Sequence, residues 1–373
     1  MASGIEFKKT PLYDLHESAG GKMVPFAGWS MPLSFTGIIE EHRATRTGIG
    51  LFDVSHMGRI EVTGPGASGL LNRVGTIDAE KLKPLSMGYC LFCNEQGGIL
   101  DDVMVYRLGE QRFFVCANAS NAVRIFEWMT KEAGAFSPVQ VSDRTVELAQ
   151  VAVQGSLSAE LVGGLVEFDL TRVGMRECAE GRIGGFSGWL SRSGYTGERG
   201  FEIYLPSDHV AGLWEALLDK GRSMGARPCG LGCRDTLRLE MGYPLYGNDI
   251  DETTTPLEAS LDFAVDFKKD DFIGYPVLAG QKKNGIGRRL IGFELEERGV
   301  PRKGCSLFSG DGVKTGEVTS GNHSPMLNRG IGMGYVRVDD ADVGTPLTVD
   351  IRGRRISARI VKRPFYRRKP VPA

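Results

Sequence analysis

Two adjacent acids, Asp101 and Asp102, stand inside the apolar stretch GGILDDVMVY, residues 97–106. The Ile-Leu pair before them and the Val-Met-Val run after them predict a buried strand. A carboxylate costs several kcal/mol to bury unless it is paired or hydrogen-bonded. Acids in this place therefore indicate a turn, a salt bridge or a group that takes part in a reaction.

The residues around the acids predict two consecutive hairpins. The turn Asn-Glu-Gln-Gly-Gly at 94–98 and a second tight turn at 108–111 join three alternating runs, which are residues 89–93, 99–106 and 113–116. This arrangement brings both aspartates near Asn118. Because successive side chains of a strand point to opposite faces, one aspartate shares a face with Leu100 and Met104, and the other with Ile99 and Val103.

The register of the second hairpin decides which aspartate faces Asn118, and the sequence leaves it open. A two-residue loop places Asn118 beside Asp101, whereas a three-residue loop with Gly109 in the left-handed region places Asn118 opposite Asp102. The residues alone also allow an acid that only hydrogen-bonds the glycine turn.

Other catalytic motifs are absent or weak. The sequence lacks a phosphate-binding loop, a complete calcium loop and the G-x-S-x-G turn of serine hydrolases. Of the five histidines, His56 in FDVSHMG, residues 52–58, has the densest neighbourhood. We expect it to be a hydrogen-bonded structural residue.

The seven cysteines are an odd number at irregular spacing, which is not typical of a disulfide framework. Cys90 and Cys93 have C-x-x-C spacing, and Cys229 with Cys233 could complete four zinc ligands. The alternation of residues 88–93 favours core filling instead, so no metal site is expected.

Composition describes an ordinary globular chain. Its 373 residues, 41% of them hydrophobic and 24% charged, are enough for two or three domains. No apolar run is long enough for a membrane helix, and the first residues lack a signal-peptide pattern. We expect a cytoplasmic protein, or a mitochondrial matrix protein if a transit peptide has been removed.

Strands outnumber helices in the pattern, and no regular strand-helix-strand repeat is present, which predicts the α+β class. Two helices are clear, at 207–220 with Ser207 as N-cap and at 121–133 before Gly134. Residues 281–289 are polar and charged and are the best linker candidate. After them, five short strands separated by glycine turns predict a small β-barrel or sandwich.

The charge is unevenly distributed. The chain has a net charge of −1, but the residues from Arg352 onward hold nine Lys or Arg and no acid, which leaves −10 on the preceding 351 residues. Such a basic end suits an anionic partner. A solvated edge strand protected by its charges is the alternative.

Nine short motifs follow one another along the whole chain: TPLY (10–13), GKMVPFAGW (21–29), FDVSHM (52–57), GGILDD (97–102), GYTGE (194–198), GLGCRD (230–235), YGND (246–249), TSG (319–321) and PFY (364–366). In this order they resemble the motifs of the aminomethyltransferase, or T-protein, family of the glycine cleavage system. Arg199 and His323 depart from residues that are common in the family.

The resemblance implies a three-domain cloverleaf around a central folate channel, with a barrel-like C-terminal domain. Residues 1–280 would form two intertwined α+β subdomains, about 1–55 plus 140–280 and 56–139, and residues 288–373 the barrel. The implied reaction transfers the one-carbon unit of the aminomethyl-dihydrolipoyl H-protein to tetrahydrofolate, a co-substrate. Its products are 5,10-methylenetetrahydrofolate, ammonia and the dihydrolipoyl H-protein.

The resemblance also assigns residues. Asp102 would be the catalytic aspartate, which suits a carboxylate that accepts a proton and stabilises a developing cation. The residues that match family folate contacts are Asn118, Tyr195, Glu202, Arg234, Tyr243 and Arg367. Among them, Glu202 would accept hydrogen bonds from the pterin, and the arginines would bind the glutamyl carboxylates.

Relatives of the same fold provide the alternatives. These are tetrahydrofolate-dependent O- or S-demethylases and a non-enzymatic folate-binding accessory protein, which would not need Asp102. A nucleic acid is not an expected partner, because the acidic body would repel phosphate. A membrane is not expected as a partner either.

Overall fold

The computed structural model describes residues 6–269 and 271–368. In chain order, the strands are β1 (Lys8–Lys9), β2 (Met23–Phe26), β3 (Trp29–Pro32), β4 (Gly50–Asp53), β5 (Gly58–Thr63), β6 (Ser86–Cys93), β7 (Ile99–Arg107), β8 (Arg112–Ala117), β9 (Gln140–Asp143), β10 (Leu148–Gln154), β11 (Cys178–Ile183), β12 (Phe186–Ser191), β13 (Gly200–Pro206), β14 (Arg227–Pro228), β15 (Arg288–Leu295), β16 (Ser306–Ser309), β17 (Lys314–Ser324), β18 (Arg329–Arg337), β19 (Pro346–Ile351) and β20 (Arg354–Val361). The α-helices are α1 (Tyr13–Ser18), α2 (Ile38–Thr47), α3 (Ala67–Val74), α4 (Ala122–Ala133), α5 (Ser158–Gly163), α6 (Val210–Gly221), α7 (Leu231–Glu240) and α8 (Tyr275–Asn284).

Four sheets organise these strands, and the predicted α+β class is confirmed. Their strand orders are β1-β3-β2, β11-β12-β13-β10-β4-β14, β6-β7-β8-β5-β9 and a closed barrel β15-β18-β17-β16-β19-β20. Within the described residues, no helix is both long and apolar enough to span a membrane.

The chain forms two compact units. The first contains the chain up to Leu70, Ala79–Gly88 and Met104–Asp235, and the second contains Leu71–Asp78, Tyr89–Val103 and the chain from Thr236 onward. The chain passes from one unit to the other within β6 and within β7. These units divide the chain differently from the predicted domains, whose boundaries stay a prediction.

In the first unit, the two faces of the six-stranded sheet have different chemistry. Val151 of β10 and Ile203 of β13 point into an aliphatic core that includes Leu213 and Leu217 of α6. The opposite face carries an aromatic cluster in which the Trp189 and Tyr204 rings stack with centroids 3.8 Å apart. Polar side chains of β10 and β13 lie on this second face, so the sheet presents buried polar groups rather than a second aliphatic core.

One predicted helix is confirmed and the other begins later than expected. Helix α4 follows Asn121 and ends before Gly134, as predicted. Residues Ser207–His209 form a 3-10 turn, and α6 begins only at Val210. Ser207 as N-cap is therefore wrong, because its hydroxyl donates to the Val146 carbonyl instead.

The second unit contains the barrel, which has six strands where five were predicted. The missed strand, β16, has only four residues and offers too short an alternation to be recognised. The predicted linker 281–289 is also wrong in part, since residues 281–284 complete α8. Leu278 of this helix is fully buried, and Lys282 lies over the Phe267 ring at 3.8 Å, so packing holds the polar end as helix.

The turn before Asp101 and Asp102 closes tightly on a neighbouring segment of the second unit. The Gly98 N–H donates to Asn94 Oδ1 and its carbonyl accepts from the Asn94 N–H, both at 2.8 Å. A Cβ added to Gly98 would stand 1.8 Å from the Glu252 carbonyl oxygen. Only glycine fits here, because a backbone atom cannot move aside as a flexible side chain can.

We expect Gly98→Ala to lower the free energy of unfolding by about 3 kcal/mol, since the added methyl must displace backbone. Gly280→Ala is the matched control, because Gly280 lies within α8 and a Cβ there would meet nothing within 4 Å. The control should be neutral or stabilising by up to about 1 kcal/mol. Urea unfolding of the two variants checks this, and equal stabilities would contradict the close approach at Gly98.

Candidate active site

The two adjacent aspartates differ in exposure. Asp101 is fully buried, whereas Asp102 is half-buried and accepts a hydrogen bond from the Tyr89 hydroxyl at 2.9 Å. Along β7 the odd-numbered positions from Ile99 to Val105 are buried and the intervening ones are partly exposed. Asp102 is therefore the aspartate that a ligand can reach.

Tyr89 is held in turn by an aromatic neighbour. Its ring stacks on that of Phe263 with centroids 6.1 Å apart and an interplanar angle of 19°. Phe263 itself is 71% exposed. Tyr89 thus packs on a solvent-exposed phenylalanine ring while its hydroxyl hydrogen-bonds Asp102.

The hairpin between β7 and β8 has the three-residue loop. Met104 pairs with Cys116 and Arg107 with Phe113, and the Leu108 N–H donates to the Arg112 carbonyl. Of the two loop lengths that the sequence left open, this is the longer one, and Gly109 lies outside the left-handed region that was considered with it. The turn closes through its backbone hydrogen bonds without it.

Glu202 is a buried carboxylate without a cationic partner. It lies in the middle of β13 and is 7% exposed. Its Oε2 accepts from the Ser193 hydroxyl at 2.6 Å, and its Oε1 accepts a long hydrogen bond of 3.5 Å from Gln150 Nε2. Among residues 6–269 and 271–368, no lysine, arginine or histidine forms an ion pair with it. The carboxylate keeps acceptor capacity that the described side chains do not use.

The side chains that hydrogen-bond Glu202 are polar and uncharged. Gln150 Nε2 also donates to the Tyr204 hydroxyl at 2.9 Å, and the Tyr204 and Tyr106 hydroxyls lie 3.0 Å apart. Burial, and then the charge of Glu202, raise the pKa of Cys116 to about 12 and that of Tyr106 well above its ordinary value. The Cys116 thiol and the Tyr106 hydroxyl therefore stay protonated near pH 7.

Tyr195 stands on a loop that is anchored on both sides. Gln154 Nε2 donates to the Ser193 carbonyl at 3.0 Å, and Gln154 Oε1 accepts from the Thr196 hydroxyl at 2.8 Å. A Cβ on Gly194 would stand 1.9 Å from Gln154 Oε1, so the glycine allows this anchoring. The loop conformation is thereby set by a buried amide of β10.

A buried ion pair fixes the far side of the same loop. Arg46 Nη1 donates to Glu198 Oε1 at 2.9 Å and to the Thr196 carbonyl at 2.6 Å. Both charged side chains are at most 1% exposed. Removing either partner would leave a buried charge uncompensated, so the pair is a strong structural constraint.

Arg234, in the first turn of α7, lies over the Tyr195 ring with its guanidinium carbon 4.7 Å from the centroid. This distance is within cation–π range. Its Nη1 is buried and has no hydrogen-bond partner among the described residues. The pair presents an aromatic face and a guanidinium donor side by side.

Asn118 lies directly after β8, half-buried, and its carbonyl accepts from the Asn121 N–H at 2.9 Å at the entry to α4. In the second unit, the Tyr243 N–H donates to the Arg238 carbonyl at 3.0 Å. The Tyr366 N–H donates to the Glu240 carbonyl at 3.0 Å, which places the C-terminal segment against the same turn.

The predicted residues divide between the two units. Asn118, Tyr195, Glu202 and Arg234 belong to the first, and Asp102, Tyr243 and Arg367 to the second. Tyr195 and Arg234 are in contact, and Tyr243 and Arg367 lie on adjoining, exposed segments. Their roles in binding or catalysis stay predictions.

Sequence reasoning missed three supporting residues: Tyr89, Gln150 and Ser193. Gln150 carried a usable signal, because a glutamine inside the apolar strand LAQVAVQ raises the same question as the acid pair. Tyr89 and Ser193 gave none, because they stand in contexts where tyrosine and serine are ordinary.

The described residues contain one group of metal-ligand types within 4.8 Å of one another, which is Glu41, Cys229 and Cys233. Glu41 already accepts from four backbone N–H groups, those of residues 35, 36, 37 and 230. Burial raises the pKa of the Cys233 thiol well above its ordinary value. A satisfied carboxylate and a protonated Cys233 thiol favour a structural role for this group.

The FDVSHM segment, residues 52–57, is also structural. Asp53 accepts from the Thr10 hydroxyl at 2.7 Å and from the Ser55 N–H at 2.9 Å, and it pairs with His16 Nε2 at 3.0 Å. Burial alone would raise the pKa of Asp53, but the hydrogen bond and charge of His16 lower it to about 2. Asp53 therefore stays ionised, and its contacts with Thr10, His16 and Ser55 hold these parts of the first unit together.

His56 is 2% exposed and meets the Phe26 ring edge-on at 5.6 Å. The predicted hydrogen bond is not found at Nδ1, which has no partner among the described residues. Burial lowers the pKa of His56 to about 3, so the ring is neutral near pH 7.

Two family models match consecutive parts of the chain. Residues 12–269 match the family model described as the GCVT N-terminal domain, and residues 288–367 match that of the glycine cleavage T-protein C-terminal barrel domain. This pair of domains defines the class of the chain as a glycine cleavage T-protein fold.

Curated relatives are similar over nearly their whole length. An aminomethyltransferase of Symbiobacterium thermophilum is 46% identical over 96% of this chain and 97% of its own. One of Halothermothrix orenii is 44% identical over 96% and 99%. The crystal structure of glycine cleavage system aminomethyltransferase T from Bartonella henselae superposes with a TM-score of 0.92 at 38% identity, covering 98% of this chain and 99% of that one.

The chain belongs to the aminomethyltransferase family of the glycine cleavage system. The family resemblance, the enzyme class and the C-terminal barrel predicted from the motifs are confirmed. The demethylase and accessory-protein alternatives are not favoured by these relatives.

We expect acid to destabilise the protein through His56. Between pH 6.5, the ordinary histidine pKa, and about 3, the unfolded chain binds a proton at this residue that the folded chain does not. The free energy of unfolding should therefore fall as pH is lowered through this window, by up to about 1.4 kcal/mol per pH unit from this residue.

His56→Gln should flatten this slope, because glutamine does not titrate, whereas His209→Gln should keep it, since the His209 side chain is 44% exposed. Urea unfolding at about pH 7 and about pH 5 measures the difference. An unchanged slope in His56→Gln would show that other groups cause the acid sensitivity.

Proposed function

We propose that the chain transfers the one-carbon unit of an aminomethyl-dihydrolipoyl H-protein to tetrahydrofolate. The products are 5,10-methylenetetrahydrofolate, ammonia and the dihydrolipoyl H-protein. The single observation that best supports this proposal is Glu202, a buried carboxylate with no cationic partner among the described residues and with unused acceptor capacity.

A reduced pterin satisfies that carboxylate. Its 2-amino group and the neighbouring ring N–H are two parallel donors on one edge, and a carboxylate accepts such a pair with both oxygens. The two pterin donors would then compensate the Glu202 carboxylate, which no cation among the described residues pairs with. A site made for this edge would be poorly filled by a ligand without the donors.

Asp102 is the group that we assign to the reaction itself. Folate N5 forms a bond to the methylene carbon, the bond from that carbon to the amine breaks, and N10 then displaces sulfur to close the ring. The N5 and N10 protons are lost, one leaving with ammonia and one with the dihydrolipoyl thiol, so the atoms balance. Asp102 is half-buried and held by the Tyr89 hydroxyl, which suits a carboxylate that passes these protons.

The remaining predicted residues fit recognition of the rest of the folate. The stacked Tyr195 and Arg234 offer an aromatic face and a buried guanidinium nitrogen, which suit the aromatic ring and a carboxylate of the p-aminobenzoyl-glutamate tail. We propose Arg367 as a second contact for glutamyl carboxylates, and Asn118 and Tyr243 as further folate contacts.

The basic end of the chain supports the H-protein as partner. Arg352 and Arg354 are exposed at the turn between β19 and β20, and Arg355 lies over the Phe308 ring at 3.2 Å. A lipoyl-bearing protein with an acidic surface would associate with this turn by charge complementarity. Seven free cysteines in the described residues fit a reducing compartment, for which we propose the cytoplasm.

We expect Asp102→Asn to fold and to bind tetrahydrofolate, but to lose turnover by about a hundredfold or more, because the amide cannot accept the proton. The assay incubates the protein with tetrahydrofolate and aminomethyl-loaded H-protein and measures ammonia and methylenetetrahydrofolate. Asp101→Asn is the adjacent control and should lose less turnover per folded molecule. Its folded fraction is measured separately, since Asp101 is fully buried.

Wild-type turnover by Asp102→Asn would overturn the assignment of this residue. A preparation that releases formaldehyde equivalents from a methoxy or methyl-sulfide donor, and none from the H-protein, would overturn the proposed reaction.

A further inference from the structure

Ser191, the last residue of β12, is the cross-strand neighbour of Glu202 in β13. Residues directly opposite each other in an antiparallel pair project to the same face. Ser191 is fully buried, and its hydroxyl oxygen lies 2.6 Å from that of Ser193. Two serines and the carboxylate thus form a continuous chain of short hydrogen bonds.

The hydrogen bonds from Ser191 through Ser193 to Glu202 can run in only one direction. A hydroxyl has a single proton to donate, and the Ser193 proton goes to Glu202 Oε2 at 2.6 Å. Ser191 must therefore donate to Ser193, so both hydroxyl dipoles point toward the carboxylate. In a buried site such aligned hydrogen bonds polarise one another and become stronger.

Gln150 does not orient the Glu202 carboxylate in the way that Ser193 does. Its contact with Glu202 Oε1 is long, at 3.5 Å, and its amide also donates to the Tyr204 hydroxyl at 2.9 Å. The Ser193 hydrogen bond is the shorter of the two and is the one that fixes the rotation of the carboxylate plane.

We propose that Ser193, supported by Ser191, is the positioning residue that orients Glu202 for the pterin and thereby helps the enzyme select ligands with the paired donors. This inference rests on the proposed function. A carboxylate has about four acceptor positions. Ser193 occupies one on Oε2 and Gln150 one on Oε1, which leaves one on each oxygen for the two parallel donors.

The loop that carries Ser193 is held independently of the ligand. The Ser193 carbonyl accepts from Gln154, and three residues later Thr196 is fixed by Gln154 and Arg46. Ser193 is therefore placed before folate binds, so the orientation of Glu202 costs little conformational entropy at binding.

The test compares Ser193→Ala, Ser193→Thr and Ser191→Ala with Ser158→Ala in the full-length protein. Ser158 is the matched control, because it is fully buried and its hydroxyl donates to the Arg199 carbonyl, not to Glu202. The dissociation constant of tetrahydrofolate is measured by calorimetry, and kcat and KM are measured with aminomethyl-loaded H-protein.

Ser193→Ala should weaken tetrahydrofolate binding about tenfold, as expected for one hydrogen bond to a charged group, and raise KM in proportion. Ser191→Ala should weaken it by about threefold through the lost polarisation. Ser193→Thr should restore binding to within about twofold, because it keeps the hydroxyl. At saturating folate, kcat should be maintained, since neither serine touches the reacting atoms.

Wild-type affinity in Ser193→Ala, no rescue by threonine, or a loss confined to kcat would each overturn the proposal. A merely structural role would lower the folded fraction of Ser193→Ala without changing the dissociation constant of the folded molecules, and that result also counts against it.

A 2-desamino tetrahydrofolate separates this proposal from the proposed function. If Glu202 reads the pterin edge, wild type should bind the analogue more weakly than tetrahydrofolate, and the tenfold penalty of Ser193→Ala should shrink with the analogue. Equal wild-type affinity for both ligands would overturn the role of Glu202 in the proposed function. If wild type binds the analogue more weakly but Ser193→Ala still weakens analogue binding tenfold, only the positioning role of Ser193 is overturned.

Discussion

The negative charge of Glu202 is buried without a positive partner among the residues that the structure describes. Burying an ionised carboxylate costs several kcal/mol, and here two neutral donors, one of them long, offset only part of that cost. The free protein therefore stores an unfavourable interaction that a ligand with paired donors can relieve. The surrounding polar groups of the first unit serve either to tolerate this charge or to orient it.

The six-stranded sheet makes such a site possible. Alternation along β10 and β13 sends Val151 and Ile203 into the aliphatic core and leaves the other face to Gln150, Glu202 and Tyr204. The core on the first face supplies the hydrophobic burial that keeps the strands in register. The opposite face can then carry polar groups whose burial would be too costly in an isolated hairpin.

Rigidity is the second requirement, and it comes from groups outside the predicted ligand contacts. The amide of Gln154 and the buried pair Arg46–Glu198 hold the loop that carries Ser193 and Tyr195. The site is thus prepared by residues that need not touch the ligand. Proteins commonly accept a cost in stability for sites of this kind.

The sequence predicted the parts of this arrangement that follow from periodicity. The alternation in GGILDDVMVY, the hairpin turn at 94–98 and helix α4 depend on local patterns, and they were found where expected. The register of the β7–β8 hairpin could not be predicted, because a change of one residue in loop length reverses which aspartate faces Asn118. Backbone hydrogen bonds at Leu108 and Gly109 set that loop, and Gly109 itself lies outside the left-handed region.

Hydrogen bonds between side chains on different strands and loops could not be predicted from the sequence either. The hydrogen bonds from Tyr89 to Asp102 and from Ser193 to Glu202 depend on strand pairing and loop path, which composition and periodicity do not encode. The errors at Ser207 and at residues 281–284 have a related cause. Ser207 found a carbonyl partner in another segment, and packing of Leu278 extended a helix through residues that locally favour a linker.

The most direct measurement is the affinity of tetrahydrofolate for Glu202→Gln, with the free energy of unfolding determined on the same preparation. Glutamine has nearly the same shape, but it removes the buried charge and replaces one acceptor with a donor. The account predicts that folate binding weakens by about a hundredfold, because one pterin donor then meets another donor. It also predicts that the fold is at least as stable as wild type, because no buried charge remains. Wild-type affinity in this variant would contradict the account.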